Sequence, residues 1–259
     1  MQARRTMEID LRRALTIGEF EVYYQPLITL KTEKISGFEA LLRWHHPERG
    51  MVPPLEFIPV AEEIGLIGQI GAWVLKQACL EAAKWPDDIH IAVNLSPAQF
   101  RDRAVVLDVV AALGVSGLPA HRLEIEITES VLLQDTQSNL AILGELRDLG
   151  VGISMDDFGT GYSSLAYLQK FSFHKIKIDR SFVSELERPE SIAIIRAVMG
   201  LGNSLGMKTT AEGVETEEQL ETLKREGCTE VQGYLFSKPV PAAQAALLLR
   251  GLKATKAIA

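Results

Sequence analysis

The sequence has little cysteine and little histidine. Its two cysteines, Cys79 and Cys228, belong to neither a Cys-x-x-Cys pair nor a mixed Cys/His spacing, so we expect neither a zinc module nor a disulfide framework. Of its five histidines, His45 and His46 are adjacent, but no His-Glu-x-x-His helix is present. These shortages argue against a histidine-based metal site and favour a reducing, cytosolic setting.

The sequence also lacks a long apolar run and an excess of basic residues. No stretch approaches the roughly 18 to 20 apolar residues of a membrane-spanning helix, and the first residues, MQARRTMEIDLRRAL, lack the apolar centre of a secretion signal. The net charge of -7 argues against binding of long nucleic acid, which needs many Lys and Arg contacts to phosphate. We therefore expect a cytoplasmic chain. Membrane attachment through a longer protein and a small anionic ligand held through metal ions remain open.

What the sequence does contain is an alternation of strand-like and helical segments, without low-complexity linkers or fixed-period repeats. Eight strand-like segments are separated by amphipathic stretches: EFEVYYQPLI, KISGFEALLRW, IHIAVNLS, RLEIEITES, VGISMDDF, HKIKID, MKTTAEGV and TEVQGYLF. Such alternation predicts a largely parallel sheet in one domain, and eight strands in about 250 residues suit a (β/α)8 barrel. Helices near 6–17, 56–65 and 69–84 are expected to complete its wall.

One connection departs from the parallel pattern. Only a few residues around LKTEK join the first two strands, whereas a parallel crossover needs a dozen or more. These strands should form an antiparallel hairpin, and we expect the second to enter the barrel from the other direction. The predicted fold is a modified (β/α)8, TIM-like barrel with one antiparallel strand.

Polar side chains follow the apolar part of nearly every predicted strand. They are Gln25, Glu39, Arg43, Asn94, Glu126, Glu129, Asp156, Asp157, Lys177, Asp179, Glu212 and Gln232. Each alone has a structural explanation, as a helix cap, a turn residue or a solvated strand residue. Together, however, crowded carboxylates repel one another and resist desolvation, so a positive charge is expected among them. Oxygen ligands without cysteine favour Mg²⁺ or Mn²⁺, and adjacent aspartates suit two ions about 3.5 to 4 Å apart.

A glycine-rich turn, FGTGYSSL, follows the two aspartates. It lacks the Gly-Lys-Ser/Thr ending of a P-loop, and Gly159 and Gly161 do not give a Gly-x-Gly-x-x-Gly spacing. We interpret it as a mobile loop over the metals, with an ordinary strand-to-helix turn as the alternative.

Seven motifs together resemble one family. EALLRW, at positions 39 to 44, is similar to the signature of the EAL domain family, and the likeness continues through VNLSPAQF, EIEITES, MDDFGTGYSSL, KIKIDRSFV, AEGVET and VQGYLFSKPV, from about Tyr23 to Pro241. EAL domains are barrels with one antiparallel strand that hydrolyse the bacterial second messenger cyclic di-GMP to linear pGpG with Mg²⁺ or Mn²⁺. The resemblance implies the same activity for this chain.

The resemblance also implies residue roles. The metal ligands it implies are Glu39, Asn94, Glu126, Asp156 and Asp157. The catalytic residues are Lys177, which positions the attacking water, Asp179 of the same Lys-x-Asp motif, Glu212, and Glu129, which tethers the loop after Asp157. The substrate-binding residues are Gln25, Leu41, Arg43, Glu215 and Gln232, the last also matching a glutamine at the metal and water site.

Three further expectations follow from the resemblance. Residues 1–18 are similar to a linker helix from an upstream sensor or diguanylate cyclase-like domain, leaving 19–259 as the EAL domain, and such domains commonly form homodimers. One alternative is a catalytically silent cyclic di-GMP receptor or regulatory interaction module. Another is an unrelated metal-dependent barrel enzyme acting on a small carboxylate or sugar phosphate.

Overall fold

The chain forms a closed barrel of strands surrounded by helices. The computed structural model describes residues 2–101, 103–133, 136–159, 168 and 171–251. The strands are β1 (Phe20–Thr29), β2 (Lys34–His46), β3 (Gly50–Val52), β4 (His90–Leu95), β5 (Leu123–Thr128), β6 (Gly152–Phe158), β7 (Lys175–Ile178), β8 (Lys208–Ala211), β9 (Glu230–Val231) and β10 (Val240–Pro241).

Strand pairing confirms the predicted barrel. The order is β10-β1-β9-β8-β7-β6-β5-β4-β2-β3, and the additional pairing of β1 with β2 closes eight of these strands into a ring. The short strands β3 and β10 add to β2 and β1 outside that ring. Within the ring, β1 is antiparallel to both of its neighbours, β2 and β9, and every other pairing is parallel.

The reversed strand is β1, which corrects the expectation that the second strand would enter from the other direction. β2 runs parallel to β4, with Glu39 opposite Ala92. The predicted β1–β2 hairpin is present, and Glu33 in its turn has a φ of 55°. A short connection fixes only the relative direction of two strands. Which of them runs against the barrel depends on pairing with β4 and β9, far away in sequence.

The helices expected from the sequence are present, with ends shifted by a few residues. The α-helices are Gln2–Ile17, Pro54–Glu63, Ile67–Ala82, Ala104–Ser116, Ser130–Leu133, Thr136–Asp148, Arg180–Ser184, Pro189–Leu205, Glu217–Arg225 and Ala242–Gly251, and 3-10 turns span Pro97–Arg101 and Ala120–Arg122. In the part of the chain that the structure describes, no helix combines the length and apolar character needed to cross a bilayer.

Strand alternation divides the core into two layers. On β5, Leu123, Ile125 and Ile127 are fully buried, whereas Glu124 and Glu126 form ion pairs with Lys175 and Lys177 of β7, two strands away across the ring. Since neighbouring side chains on a strand point to opposite faces, the three apolar residues face the helices and the two glutamates face the barrel interior. The interior is therefore unusually polar for a fold whose centre is ordinarily filled by branched apolar side chains.

Candidate active site

Lys177 lies at the centre of the predicted site. Its Nζ is 2.7 Å from Glu126 Oε2 and 2.6 Å from Glu212 Oε1. Asp156 Oδ1 is 3.3 Å away and Glu39 Oε2 is 3.8 Å away. Only 1% of the lysine is exposed, and Glu39, Glu126 and Asp156 are also buried, whereas the side chain of Glu212 is 21% accessible.

Amide side chains complete this arrangement. Glu39 accepts hydrogen bonds from Asn94 Nδ2 through Oε1 and from Gln232 Nε2 through Oε2, each at 2.6 Å. Gln232 Nε2 also donates to Gln25 Oε1 at 3.0 Å. We call this set the mouth cluster, and each strand of the ring, or the residue just after it, contributes one member. Its members are Gln25, Glu39, Asn94, Glu126, Asp156, Lys177, Glu212 and Gln232.

The mouth cluster carries more negative charge than it can neutralise. Burial would lower the pKa of Lys177, but the four carboxylates hold it well above its ordinary value, so the lysine is charged. Burial raises the pKa of Glu126 well above its ordinary value and that of Glu212 to about 8. Burial also disfavours the charged form of Glu39, yet Lys177 and the two amide donors keep the pKa of Glu39 below its ordinary value. Additional positive charge in the mouth cluster would therefore favour the ionised form of these carboxylates.

Asp157 and Glu129 meet the start of the glycine-rich turn. Asp157 has a φ of 54°, and its backbone N–H donates to Asp156 Oδ1 at 3.0 Å. Burial, with Asp156 and Asp179 nearby, raises the pKa of Asp157 to about 6. Glu129 Oε1 accepts a hydrogen bond from the backbone N–H of Gly159 at 3.1 Å. The rest of the predicted loop, residues 160–165, lies outside the described residues.

Four predicted residues lie apart from the mouth cluster. Arg43 is half-buried, with its guanidinium 5.5 Å from the Tyr23 ring centre, and Leu41 is on the same strand. Asp179 caps the helix Arg180–Ser184, accepting from the backbone N–H of Ser181 at 2.9 Å. Glu215 is exposed on the turn before the helix Glu217–Arg225.

The oxygens of the mouth cluster are of the kind that bind hard divalent cations, although the ammonium group of Lys177 lies among them. In the described ranges, no three His, Cys, Asp or Glu side chains form a group that could hold a metal ion. Two buried oxygens, Glu126 Oε1 and Gln232 Oε1, nevertheless have no hydrogen-bond partner among the described residues. Unpaired carboxylate and carboxamide oxygens are ligands that Mg²⁺ and Mn²⁺ prefer. The donor set therefore fits the implied cations.

A second charged layer lies beneath the mouth cluster, and sequence reasoning missed it. Lys175 Nζ is 2.9 Å from Glu124 Oε1 and 2.8 Å from Glu230 Oε2. Ser154 donates to Glu124 at 2.6 Å and Thr210 to Glu230 at 3.3 Å. Each of these five residues precedes a mouth-cluster residue by two positions. That spacing on a strand was the signal available in the sequence.

Comparisons with known proteins agree with this geometry. The family described as "EAL domain" matches residues 8–239. The chain is 46% identical over 240 residues to MucR of Pseudomonas aeruginosa, a bifunctional diguanylate cyclase/cyclic di-GMP phosphodiesterase, covering 91% of this chain and 35% of MucR. It is 39% identical over 252 residues to the cyclic di-GMP phosphodiesterase NbdA of the same organism, covering 95% of this chain and 32% of NbdA.

A solved structure of a MucR phosphodiesterase in complex with cyclic di-GMP superimposes with a TM-score of 0.89 at 45% identity, covering 93% of this chain and 99% of that chain. The chain thus spans about a third of the length of MucR and NbdA, and nearly all of a solved structure containing a cyclic dinucleotide.

Proposed function

Because the chain belongs to the EAL domain family, we propose that it hydrolyses cyclic di-GMP to linear pGpG at the mouth cluster. The observation that carries this proposal is the set of four carboxylates around buried Lys177, three of them buried and that of Glu212 partly accessible, with two buried oxygens left without partners among the described residues. A phosphodiester needs positive charge to approach such a site. The excess of carboxylates supports a reaction that depends on added cations.

Five residues would hold two Mg²⁺ or Mn²⁺ ions: Glu39, Asn94, Glu126, Asp156 and Asp157. When bound, such ions neutralise a phosphate and lower the pKa of a water molecule. Asp156 and Asp157 are adjacent, and the left-handed backbone of Asp157 turns the chain sharply at the end of β6. We propose that both carboxylates would hold the two ions.

Lys177 would hold the attacking water and stabilise the charge that develops on the phosphate. Its Nζ is fixed by Glu126 and Glu212 at 2.7 and 2.6 Å, so the donor is oriented before substrate arrives. Gln25 and Gln232 would contact substrate, Arg43 would bind a phosphate, and Leu41 and Glu215 would contact the remainder of the dinucleotide. Glu129, through its bond to Gly159, would position the loop that begins there.

The domain is proposed to act within a longer cytoplasmic protein. Since it spans about a third of MucR and NbdA, an upstream sensor or diguanylate cyclase-like domain is consistent with those relatives. The helix Gln2–Ile17 would be the linker to it, and Leu11 and Ala14 of this helix are fully buried against the barrel domain. We also retain the homodimer as a prediction, which analytical ultracentrifugation would test.

The test of the function is product formation from cyclic di-GMP by the purified chain, followed by chromatography with Mg²⁺, with Mn²⁺ and with chelator. We expect pGpG with either cation and none with chelator. Tight binding without product under all three conditions would favour a receptor or regulatory module over an enzyme. Absence of both binding and product would overturn the proposal.

A further inference from the structure

A cavity of about 470 Å³ lies at the end of the barrel opposite the mouth cluster. Its lining includes the first residue of six parallel strands, whereas the mouth cluster lies toward the other ends of those strands. The six residues are His90, Leu123, Gly152, Lys175, Lys208 and Glu230. The cavity is therefore separate from the site proposed to act on cyclic di-GMP.

Small residues at inward positions create this space. Ala92 and Gly152 both line the cavity, where a barrel ordinarily places bulky branched side chains. Gly37 also lines it, but a Cβ atom there would lie 2.9 Å from the His90 carbonyl oxygen, so close backbone packing accounts for that glycine. A Cβ atom at Gly152 would meet no heavy atom closer than 3.6 Å, so a side chain there is sterically allowed and its absence leaves the cavity open. The volume falls within the range of roughly 300 to 1,000 Å³ typical of small-molecule sites.

The cavity concentrates basic groups in a chain whose net charge is -7. Its two acidic lining residues, Glu124 and Glu230, are both ion-paired with buried Lys175. Around them lie the exposed side chains of Arg147 and Lys208, which are 45% and 59% accessible and lie 3.5 Å from Asp148 Oδ1 and 3.6 Å from Glu230 Oε1. The lining therefore holds three Lys and Arg residues and two acidic ones.

Three of the chain's five histidines also line the cavity, namely His90, His121 and His174. Burial lowers the pKa of His90, as do Lys208 and Lys175, whereas Glu124 and Glu230 raise it, so charges of both signs lie near this imidazole. Arginine and lysine form strong charge-assisted hydrogen bonds with phosphate oxygens, and the N–H of a neutral imidazole can donate a further hydrogen bond.

We propose that this cavity binds the phosphate group of a small phosphorylated molecule, with Arg147, Lys208 and the histidines as its partners. The charged Lys175 is already engaged by two glutamates, so binding depends on the outer basic groups. Apolar walls from Leu27 and Phe173 would accept the uncharged part of the ligand. Binding of a phosphorylated molecule in this cavity does not require hydrolysis of cyclic di-GMP.

The test is a titration of the whole chain with ribose 5-phosphate, followed by NMR of the histidine side chains after divalent metals have been removed by chelation and dialysis. We expect saturable shifts of His121 and His174 and none of His45 or His46, which belong to β2 and do not line the cavity. Ribose serves as the uncharged control and should produce no such shifts. Absence of saturable shifts up to about 10 mM would overturn the proposal.

Variants provide the second arm of the test. Replacing Arg147→Ala together with Lys208→Ala should weaken ribose 5-phosphate binding at least tenfold, whereas Arg188→Ala with Arg225→Ala removes the same charge elsewhere and should leave it unchanged. If the first pair impairs folding, His121→Ala at an exposed position replaces it. Equal binding by wild type and the cavity variant, or shifts of all five histidines alike, would contradict the assignment.

Discussion

Lys177 and Lys175 lie two residues apart on one strand, both buried inside the barrel, yet their surroundings differ. Lys175 is flanked by two glutamates, which in turn accept hydrogen bonds from Ser154 and Thr210. Lys177 faces four carboxylates, and two buried oxygens of its cluster have no partner among the described residues. The layer around Lys175 is close to electrostatic balance, whereas the layer around Lys177 is not.

We interpret this difference as that between a structural ion cluster and the site proposed to act on cyclic di-GMP. Burying a charged group costs free energy of desolvation unless ion pairs or hydrogen bonds compensate for it. A cluster whose charges are matched in this way is compatible with the fold without a ligand. An excess of one sign implies that something else enters to neutralise it. We call the mouth cluster around Lys177 the upper layer and the charged residues around Lys175 the lower layer. The comparison predicts that substitutions in the upper layer affect catalysis and that substitutions in the lower layer affect stability.

The largest expected effect is that of Glu39→Ala in the upper layer. Removing a predicted metal ligand should reduce hydrolysis of cyclic di-GMP by roughly four orders of magnitude or more, equivalent to about 5.5 kcal/mol of transition-state stabilisation. Calorimetry should show weaker Mn²⁺ binding by the same variant. Glu187→Ala, an exposed glutamate, is the matched control. Unchanged turnover in Glu39→Ala would remove Glu39 from the metal site.

The next effect is that of Lys175→Met in the lower layer. The substitution leaves Glu124 and Glu230 buried without their shared cation, so the free energy of unfolding should fall by about 3 to 5 kcal/mol. Urea denaturation measures it, with the exposed Lys84→Met as the control, for which less than about 0.5 kcal/mol is expected. A loss below about 1 kcal/mol would mean that the lower layer does not stabilise the fold.

Acid should reduce the contribution of the Lys175–Glu230 ion pair to the free energy of unfolding. Burial opposes ionisation of Glu230, but Lys175 holds its pKa near 2, below the ordinary value of 4.5. Because the folded-state pKa is depressed, this stabilisation is complete above the ordinary value and is lost as pH falls from about 4.5 through about 2, on the order of 3 kcal/mol in total. The stability gap between wild type and Lys175→Met should therefore narrow between pH 6 and pH 3. A gap that is constant over that range would refute the coupling.

The smallest expected effect is that of a substitution at Glu129, next to the upper layer. Glu129→Ala removes the hydrogen bond to Gly159 and should reduce kcat/KM about tenfold, with weaker metal binding but little change in the free energy of unfolding. The control is Glu145→Ala, a partly exposed glutamate on the helix Thr136–Asp148 that pairs with Arg103. If the rate and the metal affinity stay as in wild type, Glu129 does not position the loop.

The strands, their hairpin and the members of the mouth cluster could be predicted because each leaves a local signal. Asn94 and Gln232 follow apolar residues at strand ends, and barrel geometry brings such ends together. Gln25 and Glu39 lie opposite each other in the middle of the β1–β2 hairpin. The identity of the reversed strand could not be predicted, since it depends on pairing between strands far apart in sequence. The family resemblance supplied the residue roles, which the strand pattern alone left open.

The lower layer was missed for a different reason. Glu124, Lys175 and Glu230 lie within strand-like segments, where isolated charges are ordinarily read as solvent-facing. Only the closed ring shows that both faces of these strands are buried. Asp179 illustrates the same limit, because its position next to Lys177 says nothing about its contact with the backbone N–H of Ser181.

The hydrogen bond between the side chains of Gln25 and Gln232 has a consequence for when the site forms during synthesis of the chain. These side chains come from the first and last strands of the ring, 207 residues apart, and meet at 3.0 Å. Closing so distant a contact requires nearly the whole chain, and such long-range contacts form late and slowly. During synthesis, the nascent chain therefore carries the site's acidic residues long before Gln232 has been made. An intact site exists only once the ring is complete, so partial synthesis products and truncated fragments should be inert.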